Sequence, residues 1–515
     1  VARGSARAAA PPLARRKQSE GDSLNNLDLT EITISRLQDG YRSGAWTARD
    51  VVVWYLDRIR RMDKQGAALN AVISINDRIE EQAEELDARL AAGGMVGPLH
   101  GVPILIKDQI DVAEMPTTCG SVLFRDNWPR RDASVIARLR AAGALMLGKT
   151  TLGEMGAGDT HGSLFGSTRN VYDPERTAGG SSGGSGAAVS ANFATVALGQ
   201  EGYASIRRPS TWNGVVGMRP STGLVSRGGV YDGWPSVLGS VGPMTRTVED
   251  AARLLDVMVG YDPADPVTAH GVGRLRGPFV EALAADGLRG VRLGVLRTPF
   301  GSGVEPAAAD FARVEAVFDK GLEALAAAGA TLVDPIEIAD LVALIARRAH
   351  HPTHGAEAFA TYAAGLPEPP FRSKAEAMAS AVYDDVSIPM KQRWSRDPTP
   401  AEYASFLEAR DVLRTNLLKV MADHGLDAIV HKAIEHEPTL IRDGVNPPYV
   451  NHKGAPHINT YLGDVPSIVV PAGLTSAGLP AGLCFLGRPY DDVAMIRYAH
   501  AFEQQAQARV VPDLG

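Results

Sequence analysis

Three residues have the types and surroundings that acyl transfer needs: Lys107, Ser181 and Ser205. Lys107 closes the apolar run of His100-Gly-Val-Pro-Ile-Leu-Ile-Lys107-Asp108, an unusual position for an ammonium group. Burial there would disfavour the charged form and lower the pKa toward that of a usable base; the alternative is a lysine that snorkels to the surface. Ser181 lies within Gly179-Gly-Ser-Ser-Gly-Gly-Ser-Gly186, a run open to backbone conformations that other residues avoid. A flexible linker would share that composition, but this run passes directly into the Ala-rich, helix-forming stretch 187–194. Ser205 stands 24 residues after Ser181, in Gly199-Gln-Glu-Gly-Tyr-Ala-Ser205-Ile-Arg-Arg-Pro209. A serine hydroxyl acts as an acyl nucleophile when a base adjoins it and backbone N–H groups face the developing oxyanion.

Other motifs compete for attention. Gly143-Ala-Leu-Met-Leu-Gly148-Lys149-Thr150 fits the phosphate-loop pattern letter for letter, but a helix is expected before Gly143 and an apolar strand between the glycines, where a phosphate cradle needs a small-residue loop. Gly179-Gly-Ser181-Ser-Gly183 also fits the nucleophile elbow GxSxG, and histidines follow it downstream. An elbow follows an apolar strand, whereas Ser181 follows the polar Asp173-Pro-Glu-Arg-Thr177. His350-His351-x-x-His354 has the look of a metal cluster without a supporting carboxylate pattern, and reads more simply as a solvated turn. No metal and no organic cofactor is expected.

Taken in order, the lysine, glycine-serine and serine segments resemble the amidase signature family, whose pattern is GVPxxxKD, then GGSSGG, then G-T-D-x-G-G-S-I-R-x-P. The matching residues are Gly101-Val-Pro with Lys107-Asp108, Gly179 to Gly184, and Gly199 with Ser205-Ile-Arg207-x-Pro209. Similar phrasing extends through Gly148-Lys149-Thr150, Gly242-Pro-Met and Val470-Pro471, and the resemblance covers most of 27–265 and 460–505. It implies a triad of Lys107 as base, Ser181 as bridging serine after a cis peptide bond, and Ser205 as nucleophile. It further implies an oxyanion hole from the backbone N–H groups of Gly202, Tyr203, Ala204 and Ser205, and an acyl pocket lined by Met155 and Gly156. The sequence departs from the pattern at Gln200-Glu201, where the family has T-D, and at Tyr203-Ala204, where it has two glycines.

The implied function is hydrolysis of carbon–nitrogen amide bonds, other than peptide bonds, in small or mid-sized amides, with esters, anilides and carbamates as further candidate substrates. Two alternatives stand beside it: a glutaminase-like subunit of a tRNA-dependent amidotransferase, which needs partner chains, and an inactive family member serving as a binding protein.

The elements that must position these residues alternate helix and strand. The order argues for an α/β fold, and the resemblance implies one large α/β/α sandwich with a mixed central sheet covered by helices. Thr47-Ala-Arg-Asp50 reads as a capping box opening a helix to about Met62. Strands are expected at 71–75, within 101–108, and at 144–147, 194–198, 291–296, 330–335, 466–473 and 481–487. Residues 27–515 are expected to form a single unit, with 340–425 a variable helical segment over the active site, and 1–26 a basic, Ala/Pro-rich leader that is disordered or extended.

With 52 Lys+Arg against 59 Asp+Glu, the net charge of −7 argues against a nucleic-acid binder, and two cysteines cannot staple 515 residues. No apolar run approaches the roughly 18 residues of a membrane span. The expected partner is therefore a small-molecule amide alone, without nucleic acid or membrane, and the expected state a monomer or homodimer. The expected location is the cytoplasm, or outside the cell if the leader is the remainder of a removed signal. Glycine is in excess, 54 residues or about 10%, and five of these fall within 179–186.

Overall fold

A computed structural model describes residues 27–514 apart from 232–238, 348–355 and 396–397. The leader 1–26 and the triplet His350-His351-x-x-His354 lie outside the described residues. In chain order the strands are β1 (Val72–Ile75), β2 (Pro103–Lys107), β3 (Leu145–Thr150), β4 (His161–Gly162), β5 (Gly166–Ser167), β6 (Val196–Glu201), β7 (Val216–Arg219), β8 (Ser240–Thr245), β9 (Arg292–Leu296), β10 (Thr331–Ile336), β11 (Ala428–Lys432), β12 (Ser467–Leu474) and β13 (Pro480–Leu486). All but the β4–β5 hairpin join one mixed sheet in the order β1-β3-β2-β6-β8-β7-β12-β13-β11-β9-β10.

Every residue of β2, β3, β6, β11 and β13 is buried, which explains why the apolar parts of β2, β3, β6 and β13 read as short continuous runs and not as alternating ones. Helices supply the cover. Gly183–Ser190 packs on β2, β3, β6 and β8, while Ala309–Ala327 and Asp492–Ala506 pack on β12 and β13. The helix Ala48–Met62 begins with the expected reciprocal cap, Thr47 accepting from the Asp50 N–H and the Asp50 carboxylate from the Thr47 N–H. Strands β7, β8 and β11 went unforeseen: Val-Gly-Met-Arg and Ser-Val-Gly-Pro-Met-Thr carry Gly, Pro and Arg, and β11 ends in a buried His-Lys pair.

The segment 340–425 is helical at Leu341–Ala346, Ala356–Gly365, Lys374–Ala379, Ile388–Trp394 and Pro400–Asp423. It divides in two. Phe406, Leu413 and Leu417 of the last helix join Tyr461 and Ile429 in one apolar cluster. Phe359, Tyr362, Met390 and Trp394 instead pack with Cys119, Phe124, Met155 and Tyr231, in loops beyond the ends of the central strands. Among the described residues no helix is long and apolar enough to cross a membrane.

The parallel trio β3-β2-β6 matters most for function. Because Lys107 is level with Thr150 and Ile106 with Leu198, the three strands end at the same edge of the sheet. In α/β sheets that carboxyl edge is where ligands bind, since the loops leaving it are free to vary around a fixed frame.

Candidate active site

β2 delivers Lys107 to this edge, on the face that carries the helix Gly183–Ser190. Its register partner Thr150 points the same way, with Oγ1 2.8 Å from Ser185 Oγ. Lys107 is fully buried, and its Nζ donates to Ser181 Oγ at 2.7 Å and to the Gln200 carbonyl at 3.1 Å. The lysine thus turns inward onto a serine and does not snorkel. The Gly180–Ser181 peptide bond is cis. Ser182 N donates to the Ser205 carbonyl at 3.1 Å, which ties the loop carrying Ser181 to the loop carrying Ser205. Lys107 and Ser181 are wholly inaccessible while Ser205 is 8% exposed, so Ser205 is the member of the three nearest to solvent.

The loop carrying Ser205 leaves β6 at Glu201 and returns as the helix Arg207–Trp212. Glu201 governs its shape. Its buried carboxylate accepts from the N–H groups of Ile206 at 2.8 Å and Arg207 at 3.0 Å, and from Arg207 Nε at 2.8 Å. Arg207 Nη2 in turn donates to the Tyr203 carbonyl at 2.6 Å. Burial works to raise the Glu201 pKa, but Arg207 and then Arg219 outweigh it and hold the group below its ordinary value. Among the described residues no backbone carbonyl accepts from the N–H of Gly202, Ala204 or Ser205. The Tyr203 ring leans on His457 at 5.4 Å between centroids, and Ala204 packs with Trp212, Ile434 and Ala455.

Met155 and Gly156 adjoin this frame from the side. Met155 is buried among Cys119, Phe124 and Tyr231, with its N–H on the Cys119 carbonyl at 2.8 Å. Gly156 has φ +79°, and a Cβ there would come within 3.3 Å of Gln109 Oε1. Their neighbours Glu154 and Ala157 line a cavity of about 300 Å³ together with Asp159, Thr160, Arg393 and His452. None of the three proposed triad residues lines that cavity. It shares a wall with them: Gly180 packs so tightly on Gly158 and Asp159 that a Cβ would fall 2.5 Å from the Gly158 carbonyl.

Several of these partners escaped the sequence reading. Arg208, three residues after Ser205, pairs with Asp159 at 3.0 Å and meets His452 Nδ1 at 2.6 Å. Gln109 donates to Gln200 Oε1 at 3.1 Å and to the Tyr231 carbonyl. The available signal was charge inside segments otherwise fit for burial. Among the described residues no group of three or more His, Cys, Asp or Glu side chains could hold a metal ion.

Comparison with known proteins identifies the family and the fold. The family model described as Amidase matches residues 50–496. A glutamyl-tRNA(Gln) amidotransferase subunit from Thermosynechococcus vestitus is 32% identical over 89% of this chain and 94% of its own length. The protein of the same name from Symbiobacterium thermophilum is also 32% identical, over 92% and 96%. Among solved structures, the peptide amidase from Stenotrophomonas maltophilia superposes with a TM-score of 0.81 at 31% identity, covering 94% of this chain and 99% of that one. A bacterial aryl acylamidase of the amidase signature enzymes gives 0.75 at 25% identity, over 92% and 96%.

These relatives correct one expectation, that of a monomer or homodimer with no partner but a small amide and no nucleic acid. Proteins matched over nearly their whole length are named as one subunit of an enzyme acting at a glutamyl-tRNA. The physical flaw lay in the charge argument: a net charge of −7 describes one chain and says nothing of whether that chain works alone or beside others. Family model, relatives and fold converge: the chain belongs to the amidase signature family of carbon–nitrogen hydrolases.

Proposed function

We propose that the protein cleaves amide carbon–nitrogen bonds through an acyl-enzyme on Ser205, with Ser181 and Lys107 as a proton relay. The observation that carries this is the 2.7 Å contact between a fully buried Lys107 Nζ and Ser181 Oγ, on a loop tied to the Ser205 carbonyl. A lysine held in a low-dielectric interior is more easily neutral than one in water, and a neutral amine accepts a proton. As Ser205 Oγ attacks the carbonyl carbon, its proton passes to Ser181 Oγ, and the Ser181 proton passes to Lys107. The N–H groups of residues 202–205 stabilise the oxyanion; loss of one such donor in comparable sites costs roughly 3 kcal/mol. The relay then runs backwards to protonate the departing nitrogen, and a water molecule repeats the cycle to release the acid. On this reading the helices at 356–394 cap the site.

The names and coverage of the relatives favour a specific second reading, that the amide cleaved is the side chain of glutamine and the ammonia serves an amidotransferase of which this chain is one component. One panel separates the two. Ammonia release from glutamine, with no turnover of other primary amides, anilides, esters or carbamates, supports the amidotransferase role; turnover of the other simple amides supports the broader hydrolase. For catalysis itself, a fluorophosphonate is expected to label the wild type and not Ser205→Ala. A wild type that resists labelling would favour an inactive binding protein.

A further inference from the structure

Lys149 belongs to the segment that imitates a phosphate loop, and the relay just described leaves it without a task. It is the second fully buried lysine at the carboxyl edge of the sheet. Its register partner is Ile106, so it lies on the opposite face of the sheet from Lys107 and on the same face as Asp108. There Lys149 Nζ donates to Asp108 Oδ1 at 3.0 Å, to the Pro116 carbonyl at 3.1 Å and to Thr117 Oγ1 at 3.1 Å. Asp108 Oδ2 accepts from the Thr118 N–H at 3.1 Å and from the Thr118 hydroxyl. Asp108 directly follows Lys107 in the chain, and its side chain is as thoroughly buried as that of Lys149.

The electrostatic consequence follows from one requirement: Lys107 must be neutral to act as a base. A lone buried carboxylate next in sequence would hold Lys107 protonated, because an opposite charge nearby favours the charged form. A lone buried ammonium in the same place would do the reverse. The other groups around Lys107 do not decide the matter. Ser181 and the Gln200 carbonyl are uncharged, and Glu201 is neutralised by Arg207. In the loop after β2, burial pushes the Cys119 thiol well above its ordinary value, with Asp108 and Asp111 adding to the rise and Lys149 and Lys107 opposing it, so these charges share one field. Asp111, titrating at about 6, hydrogen-bonds Tyr362, and the phenols of Tyr362 and Tyr231 are held neutral by burial.

We propose that Lys149 is a positioning residue for the base, neutralising Asp108 from the far face of the sheet so that the Lys107 amine is free to take the proton from Ser181. The pair also pins the 116–119 loop, as a purely structural ion pair would, so the test must read charge. It rests on the proposed relay and uses the pH dependence of Ser205 labelling by a fluorophosphonate, which needs no knowledge of the substrate. In the wild type the labelling rate rises through a midpoint set by Lys107. Asp108→Asn, which leaves the Lys149 cation, is expected to lower that midpoint by about one pH unit, and Lys149→Met, which leaves the carboxylate, to raise it by about as much. The double variant carries neither charge and returns the midpoint to near the wild-type value.

Breaking a buried pair on one side is the more hazardous change for folding, so the double variant also guards the test. If Lys149→Met does not fold, the comparison of Asp108→Asn with the double variant still shows whether removing Lys149 raises the midpoint. Single variants whose midpoints move the same way, or do not move, overturn the proposal and leave the pair structural. A wild type that is not labelled, or whose midpoint survives Lys107→Ala, indicts the relay instead.

Discussion

Lys107 and Glu201 carry opposite duties at the ends of strands separated by a few ångströms of sheet. In the proposed relay Lys107 must shed its charge to accept a proton, so activity is expected to rise with pH to an alkaline plateau, and Lys107→Ala is expected to abolish turnover at pH 8. Glu201 must keep its charge, because it balances Arg207 and Arg219 and holds the two N–H groups that follow Ser205. Glu201→Gln leaves two buried guanidinium groups facing a neutral amide and is expected to cost about 3–5 kcal/mol of stability by chemical denaturation. Glu201→Asp keeps the charge but not the reach. It is expected to lower kcat far more than it lowers stability, the mark of a misplaced loop. That Lys107, Ser181 and Ser205 come together was legible through the order and spacing of the three resembling segments, and the contact of Lys107 with Ser181 agrees with it. The work of Glu201 was not, since Arg219, one of the two guanidinium groups it balances, comes from another strand.

At the scale of elements, the helices between 356 and 394 are held to the core mainly by aromatic side chains. Trp394 is almost wholly buried, stacks on Tyr383 at 6.1 Å and 11°, and meets Phe359 edge-on at 5.9 Å. Truncating such a residue typically costs about 3–5 kcal/mol. The cluster it anchors also contains Met155 and Tyr231, beside the ends of the catalytic strands. Trp394→Ala is therefore expected to loosen the cap locally, read as faster amide exchange at 356–394 with the sheet unchanged. If the cap closes over substrate, KM rises while labelling of Ser205 by a small fluorophosphonate stays near wild type; unchanged KM would reduce the helices to a packing layer. The strands were readable where both faces are apolar, as in β2, β3 and β13. β7 and β8 were not, because the antiparallel ladder and the packing around Arg219 come from distant segments that stabilise a weak local preference.

The whole molecule sets these requirements against one another, because the pH that frees the base weakens the fold. Burial raises Asp250 and Asp492 to about 6, Glu435 to about 7 and Glu503 to about 8. An unfolded chain releases these protons near pH 4, whereas the folded protein keeps them until the raised values are passed. Between those limits the folded state binds more protons, so its stability falls as pH rises, and the fall levels off above about 8. His431, held neutral with its pKa lowered to about 3, acts oppositely and removes stability only as pH drops below its ordinary value. Tm is accordingly expected to peak on the mildly acidic side of neutrality and to decline toward pH 8.5. Glu503 offers the sharpest check. It sits on the C-terminal helix, and its Oε1 accepts from the Val248 N–H at 2.8 Å, at the first turn of another helix. Glu503→Gln keeps that acceptor and removes the titrating proton. The variant should match the wild type near pH 5 and exceed it in Tm at pH 8.5, flattening the alkaline decline without altering the labelling rate of Ser205. A decline that persists unchanged in Glu503→Gln would assign the loss to the other buried carboxyls.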